Sequence, residues 1–298
     1  MCGIVGLFSK SPAIENHLGE LVSRMLIEMS ERGPDSTGIA VYRDQAPGTM
    51  TKVTLLSRAL EFDWETMAGE INRVFPGHNR VVPMENHAVV TTAARPARLR
   101  EWIAREYPEL HVNSTGAAIE IYKEKGLPSD VIKRFGVAQM QGTHALGHTR
   151  MATESAVTTE HSHPFSTGED LCLVHNGSLS NHNRLRGFLK RRGIEFNTDN
   201  DSEVAAGYLT WRLREGMSLD EALQAALHDL DGFFTFAIGT GNGFAVLRDP
   251  IACKPAVMAE TADWVAMASE YRAIAVLPGA DRAERWEPEP AKVYSWSH

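Results

Sequence analysis

The chain has 298 residues, 43% of them apolar and 23% charged, with a formal net charge of −8. That is ordinary globular composition, which excludes a disordered or fibrous polypeptide, and its acidic balance disfavours nucleic acid and anionic membrane as partners. No window approaches the roughly 20 apolar residues of a membrane span, Met1 to Phe8 does not read as a signal peptide, and the three scattered cysteines build no disulfide framework. The expected compartment is therefore the reducing cytoplasm.

Residues 4–8 read as a short apolar strand. Leu18, Leu21, Val22, Met25 and Met29 then repeat at helical spacing, leaving Glu20, Arg24 and Glu28 for solvent. Arg32-Gly33-Pro34-Asp35-Ser36 is turn chemistry, followed by a strand over 38–42. Residues 44–137 read as an α/β insertion, with strands over 53–56, 88–92 and 118–122 and helices over 64–74, 96–107 and 129–135. This stretch carries none of the chemical motifs described below.

Patterning strengthens again from Thr143. A strand over 171–175 leads into His175-Asn176-Gly177, and a helix over 181–192 ends at Gly193, a left-handed cap. Helices follow over 201–215 and from the capping box Ser218-x-x-Glu221 to 230. Strands over 233–238, 244–248, 256–259, 264–268 and 292–296 come in close succession. Short turns between strands imply antiparallel sheets with helices packed on them, an α+β fold.

Cys2 is the most informative residue. Once Met1 is removed, its thiol shares a residue with a free α-amine of unperturbed pKa roughly 7.7–8.0, which can act as the general base for that thiol. By itself, a cysteine at a strand start is more often a core residue. Asn176 and the Gly177 N–H are placed to face a developing oxyanion, although Asn-Gly is also the strongest hairpin-turn signal. Arg150, after Gly147-His148-Thr149, suits a bidentate grip on a carboxylate, and a surface arginine is the alternative. Asp201, at a helix start, suits either capping or an ammonium group.

Together these segments resemble the class II glutamine amidotransferases, whose catalytic domain is an N-terminal-nucleophile hydrolase. The resemblance runs through Met1-Cys2-Gly3-Ile4-Val5-Gly6, Arg32-Gly33-Pro34-Asp35-Ser36-x-Gly38, Gly147-His148-Thr149-Arg150-x-Ala152-Thr153, His163-Pro164-Phe165, His175-Asn176-Gly177 and Asp201-Ser202-Glu203-Val204. A looser match covers 248–255, where Ala252 replaces a family glycine. The resemblance implies a four-layer αββα sandwich of two antiparallel sheets across 1–298, interrupted by the 44–137 insertion. It implies Cys2 as nucleophile, Asn176 and Gly177 as oxyanion hole, and Arg150 and Asp201 on the α-carboxylate and α-ammonium of glutamine. Thr153 and His163 would line the glutamine pocket, with Arg32 and Asp35 architectural. Met151 and Glu154 depart from the common pattern on the lid side.

The chain ends at His298 with no synthase domain, so the acceptor chemistry is expected on partner subunits of a hetero-oligomer. The runs 151–159, 175–183 and 286–290 look like the stand-alone amidotransferase subunits of glutamate-synthase-like complexes, including N-methylglutamate synthase of methylamine metabolism. In that family FMN and iron–sulfur clusters belong to partner subunits, with no cofactor in this chain. The alternative is a non-catalytic structural or regulatory subunit. His144-x3-His148 and His161-x-His163 lack further ligands at metal spacing, so no metal is expected. Cys172 and Cys253 read as core, and Arg98-x-Arg100 and 190–192 as solvated helix faces.

Overall fold

The computed structural model describes residues 2–59, 61–151 and 158–298. A seven-stranded antiparallel sheet has the order β15 (Glu284–Trp286), β13 (Val257–Glu260), β14 (Trp264–Ala268), β1 (Gly3–Ser9), β8 (His144–Arg150), β2 (Ser36–Tyr42) and β7 (Ile119–Lys125). A five-stranded sheet has the order β16 (Val293–Ser297), β12 (Gly243–Arg248), β11 (Gly232–Thr240), β10 (Leu171–Leu179) and β9 (Phe165–Gly168). Ile4, Phe8, Tyr42 and Leu146 of the first sheet meet Cys172, Val174, Phe244 and Val246 of the second in one buried cluster. Alternate residues of the same strands face outward, where each sheet is covered by helices.

On the first sheet, Leu18, Val22 and Met25 of α2 (Leu18–Glu28) bury against Val5, Leu7 and Ile39. The short α1 (Pro12–Glu15), α5 (Pro128–Arg134) and α9 (Tyr271–Ala275) complete that layer. On the second sheet lie α6 (His182–Lys190), α7 (Asp201–Arg214) and α8 (Leu219–Asp229), packed through residues such as Leu189, Leu209 and Leu223. The expected capping box holds: Ser218 accepts from the Glu221 N–H, while the Glu221 carboxylate accepts from the Ser218 N–H. Helix, sheet, sheet, helix is the four-layer αββα sandwich.

The region expected as one insertion divides in two. Strands β4 (Arg80–Met84), β5 (His87–Thr92), β3 (Thr51–Ser57) and β6 (Leu110–Gly116) form a separate four-stranded sheet. With α3 (Trp64–Val74) and α4 (Pro96–Glu106) it encloses its own core around Val53, Met67, Ile71, Leu99 and Trp102. By contrast, β7 pairs with β2, Tyr42 opposite Ile119, and α5 contributes Val131 and Ile132 to the core under the seven-stranded sheet. The boundary read as 137 therefore falls at about 116. Two strands within the unit had no sequence signal. β4 contains Pro83 and runs along an edge, and β6, Leu-His-Val-Asn-Ser-Thr-Gly, is largely polar.

Three smaller expectations are corrected. The strand read as 171–175 is longer: His175-Asn176-Gly177, for which a turn was the alternative, lies inside β10, which continues to Leu179 with β11 paired along it. Cys253 is exposed, on the loop after β12, whereas Cys172 is buried inside the sandwich. Arg100 is not a solvated side chain: it packs against β6 and bonds to Thr115.

Candidate active site at the start of the first strand

The proposed nucleophile is half-buried at the end of two strands. Gly3 pairs with Thr149 of β8 and Ser36 of β2 pairs with Arg150, so Cys2 and Arg150 lie at the same end of the first sheet. The Cys2 Sγ lies 4.0 Å from the Met151 carbonyl oxygen. Two groups grip the Cys2 carbonyl: Arg32 Nε donates at 3.0 Å and Asn176 Nδ2 at 3.3 Å. One bond comes from the turn after α2 and the other from the second sheet, so the residue is fixed from both halves of the sandwich.

Besides the Arg32 side chain, the Arg32-Gly33-Pro34-Asp35 turn meets the end of β8 through its backbone. A Cβ on Gly33 would lie 2.4 Å from the Thr149 carbonyl carbon and 2.5 Å from the Arg150 nitrogen, so only glycine allows this approach. Asp35 N–H donates to the Arg150 carbonyl at 3.1 Å. Arg32 pairs with Glu270, and that hydrogen bond holds the Glu270 carboxyl below its usual range. Ser269 adds a further tie, its hydroxyl accepting from Ile4 N–H at 2.9 Å. Ser269 and Glu270 escaped the sequence reading, since one acidic residue after a strand has no characteristic spacing.

Asn176 is buried and Gly177 half-buried on β10. Gly177 has φ +152°, and a Cβ there would meet the Phe233 carbonyl oxygen at 2.0 Å. Asp201 opens α7, and its Oδ2 accepts from Leu179 N–H at 2.9 Å. This bond ties the start of α7 to the end of β10. The Asp201 side chain stays about one fifth exposed (22%), so it is not sealed from a substrate. Thr153 lies outside the described residues.

The His163 ring is buried, with Nε2 2.9 Å from Ser202 Oγ. His175 Nδ1 lies 2.8 Å from the same hydroxyl, and His148 Nε2 is 3.1 Å from the His175 carbonyl and donates to it. The His148 and His163 rings stack at 3.9 Å. Burial pushes His148 down to about 3 and His163 well below the usual imidazole range, so both stay neutral. Lys123 is buried as well, donating to the Glu160 and Ser162 carbonyls at 3.2 Å each, and burial lowers it to about 8.

The loop after β12 is a second piece of motif geometry. Asp249 accepts from Phe234, Ile251 and Ala252 N–H groups, and Arg248 donates to the Ala252, Lys254 and Pro288 carbonyls. Ala252 has φ +51°, a left-handed conformation that costs a residue with a Cβ roughly 1–2 kcal/mol. Among the described residues no group of three or more His, Cys, Asp or Glu could hold a metal ion, and no helix is long and apolar enough to cross a membrane.

A family model described as glutamine amidotransferase domain matches residues 148–276. The glutamine amidotransferase-like protein GlxB of Rhizobium meliloti is 55% identical over 300 residues, covering 100% of this chain and 99% of its own. The chain belongs to the class II glutamine amidotransferase family. Glutamine–fructose-6-phosphate aminotransferase of Bradyrhizobium diazoefficiens shares 32% identity over 191 residues, 56% of this chain and 31% of its own. The fold agrees. The solved glutamine phosphoribosylpyrophosphate amidotransferase of B. subtilis superimposes with a TM-score of 0.62 at 20% identity, over 99% of this amidotransferase chain and 49% of that one. This chain spans about half the length of that structure.

Proposed function

We propose that this chain hydrolyses glutamine at Cys2 and delivers the ammonia to a synthase-type partner in a glutamate-synthase-like complex, of which N-methylglutamate synthase is an example. The observation that carries the reading is the double grip on the Cys2 carbonyl by Arg32 and Asn176. It holds the thiol at the mouth of the sandwich, beside the buried Arg150 and the Gly177 backbone.

In this mechanism the Cys2 α-amine, freed by removal of Met1, takes the thiol proton as sulfur attacks the side-chain amide of glutamine. Asn176 Nδ2 and Gly177 N–H receive the oxyanion. The amine returns the proton to the leaving nitrogen, the C–N bond breaks, and ammonia departs from a thioester. Water, deprotonated by the same amine, then releases glutamate. Arg150 binds the α-carboxylate and Asp201 the α-ammonium, with Thr153 and His163 lining the pocket. Arg32 and Asp35 shape the turn. FMN and iron–sulfur clusters, where the complex uses them, belong to partner chains. This chain's three cysteines, on separate parts of the fold, make no ligand set.

The test uses protein whose intact mass shows Met1 removed, assembled with its partner subunits. Glutamate release from glutamine is expected, falling by about 10³-fold or more in Cys2→Ala. If the Met1-free complex releases no glutamate, the chain is a structural or regulatory subunit that keeps the fold.

A further inference from the structure

The four-stranded unit does not lie flush on the sandwich. A cavity of about 450 Å³ opens between α4 and β6 on one side and β9, α7 and the 193–197 segment on the other. None of the residues placed in the glutamine reaction lines it.

The floor of the cavity has donors without acceptors. Ser114 is 2% exposed, and its hydroxyl has no hydrogen-bond partner among the described residues. Arg100 reaches in from α4, with Nη2 donating to Thr115 Oγ1 at 2.9 Å, while its buried Nε–H has no partner among the described residues. A guanidinium placed so, with only one hydroxyl bonded, is costly unless an anionic group completes it. Burial lowers the Arg100 pKa, helped by the Arg214 charge and opposed by the Glu195 and Glu169 carboxylates. Glu203 lines the same cavity but does not answer Arg100, because its carboxylate already accepts from Asn197 N–H, Thr198 N–H and the Thr198 hydroxyl at 2.8–2.9 Å.

The rim has the opposite character. Glu101 and Glu195 are exposed at the mouth and make no hydrogen bond or ion pair among the described residues, although the Glu195 charge acts on Arg100, and Arg214 also lines the cavity. Two guanidiniums against three carboxylates make the lining a poor host for a dianion such as phosphate. A molecule with one carboxylate for the Arg100 and Ser114 donors and one ammonium for the rim glutamates satisfies both ends. The volume falls within the range of small-molecule sites, about 300–1,000 Å³.

We propose that this cavity is a second binding site, for a free α-amino acid, held with its carboxylate on Arg100 and Ser114 and its ammonium toward Glu101 and Glu195. The site is built at the seam between the inserted unit and the sandwich, and Glu203, two residues after Asp201, forms part of its wall. The proposal does not depend on Cys2 being catalytic.

Thermal unfolding of Cys2→Ala protein, which cannot turn glutamine over, tests it against the common L-amino acids and against inorganic phosphate. At about 5 mM, at least one amino acid is expected to raise Tm by roughly 2 °C or more. That shift should vanish in Arg100→Gln, shrink in Ser114→Ala, which breaks no existing bond, and persist in Arg150→Gln. Circular dichroism confirms that each variant is folded. The proposal is overturned if no amino acid shifts Tm, or if the shift survives both Arg100→Gln and Ser114→Ala. Disappearance in Arg150→Gln instead, or an Arg100-dependent shift from phosphate alone, overturns it equally.

Discussion

A methyl group added to Gly38 in the sandwich would sit 1.9 Å from the His163 carbonyl oxygen, whereas one added to Gly69 in α3 of the inserted unit would meet nothing within 4 Å. The two glycines share a residue type and little else. Around Cys2 the chain packs backbone against backbone, through Gly33 on Thr149 and Arg150, Gly38 on His163, and Gly177 on Phe233. In the inserted unit the helices and sheet meet through apolar side chains. The difference shows where sequence freedom is lost. Side chains can repack, but backbone packed this closely on backbone has little room to retreat.

The contrast can be broken by experiment. Gly38→Ala should cost about 3 kcal/mol or more, because β2 must move away from His163. A denaturant midpoint lowered by less than the equivalent of about 1 kcal/mol would show that the strand can yield after all. Acid should reach both regions through histidines that burial pushes to about 3, His87 and His111 in the inserted sheet and His144 and His148 on β8. Each titrates near 6.5 when unfolded and near 3 when folded, so below 6.5 the unfolded chain binds more protons. Stability is therefore unaffected above that pH and falls as pH drops from 6.5 toward 3, by up to about 1.4 kcal/mol per unit per group. His111→Gln should flatten that slope by about one proton, and an unchanged slope in pH-dependent urea titrations would refute the assignment. The smallest effect is the opposite in sign. Gly69→Ala should stabilise by about 0.5–1 kcal/mol, since the site is an exposed helix interior with room for a methyl; a lower Tm would end the comparison.

Much of the sandwich was legible because its elements are long and periodic. The α2 stripe, the α8 capping box and the closely spaced C-terminal strands all appear where residue spacing put them. The motif residues Cys2, Arg32, Asn176 and Asp201 were nameable in advance. What was not legible depends on neighbours distant in sequence. Asn-Gly reads as a turn in isolation and becomes strand because β11 pairs across it. Nothing in the His163-Pro164-Phe165 pattern tells that Ser202 and His148, contributed by two other elements, enclose the His163 ring. Nothing near Glu270 marks it as the partner of Arg32. The burial of Arg100 follows from where the inserted unit lies against the sandwich, which no local pattern encodes.

The pairing of Tyr42 with Ile119 has a consequence of another kind. Since β2 and β7 are adjacent and antiparallel, everything from 43 to 118 occupies the place of a hairpin turn. Entry and exit sit side by side, and Asp170 steadies the exit by accepting from the Ala117, Ala118 and Ile119 N–H groups. A module joined at two neighbouring points can be exchanged without rethreading the host. The junction is thus a natural port, through which a lineage can vary an accessory lobe while the sandwich around Cys2 stays untouched.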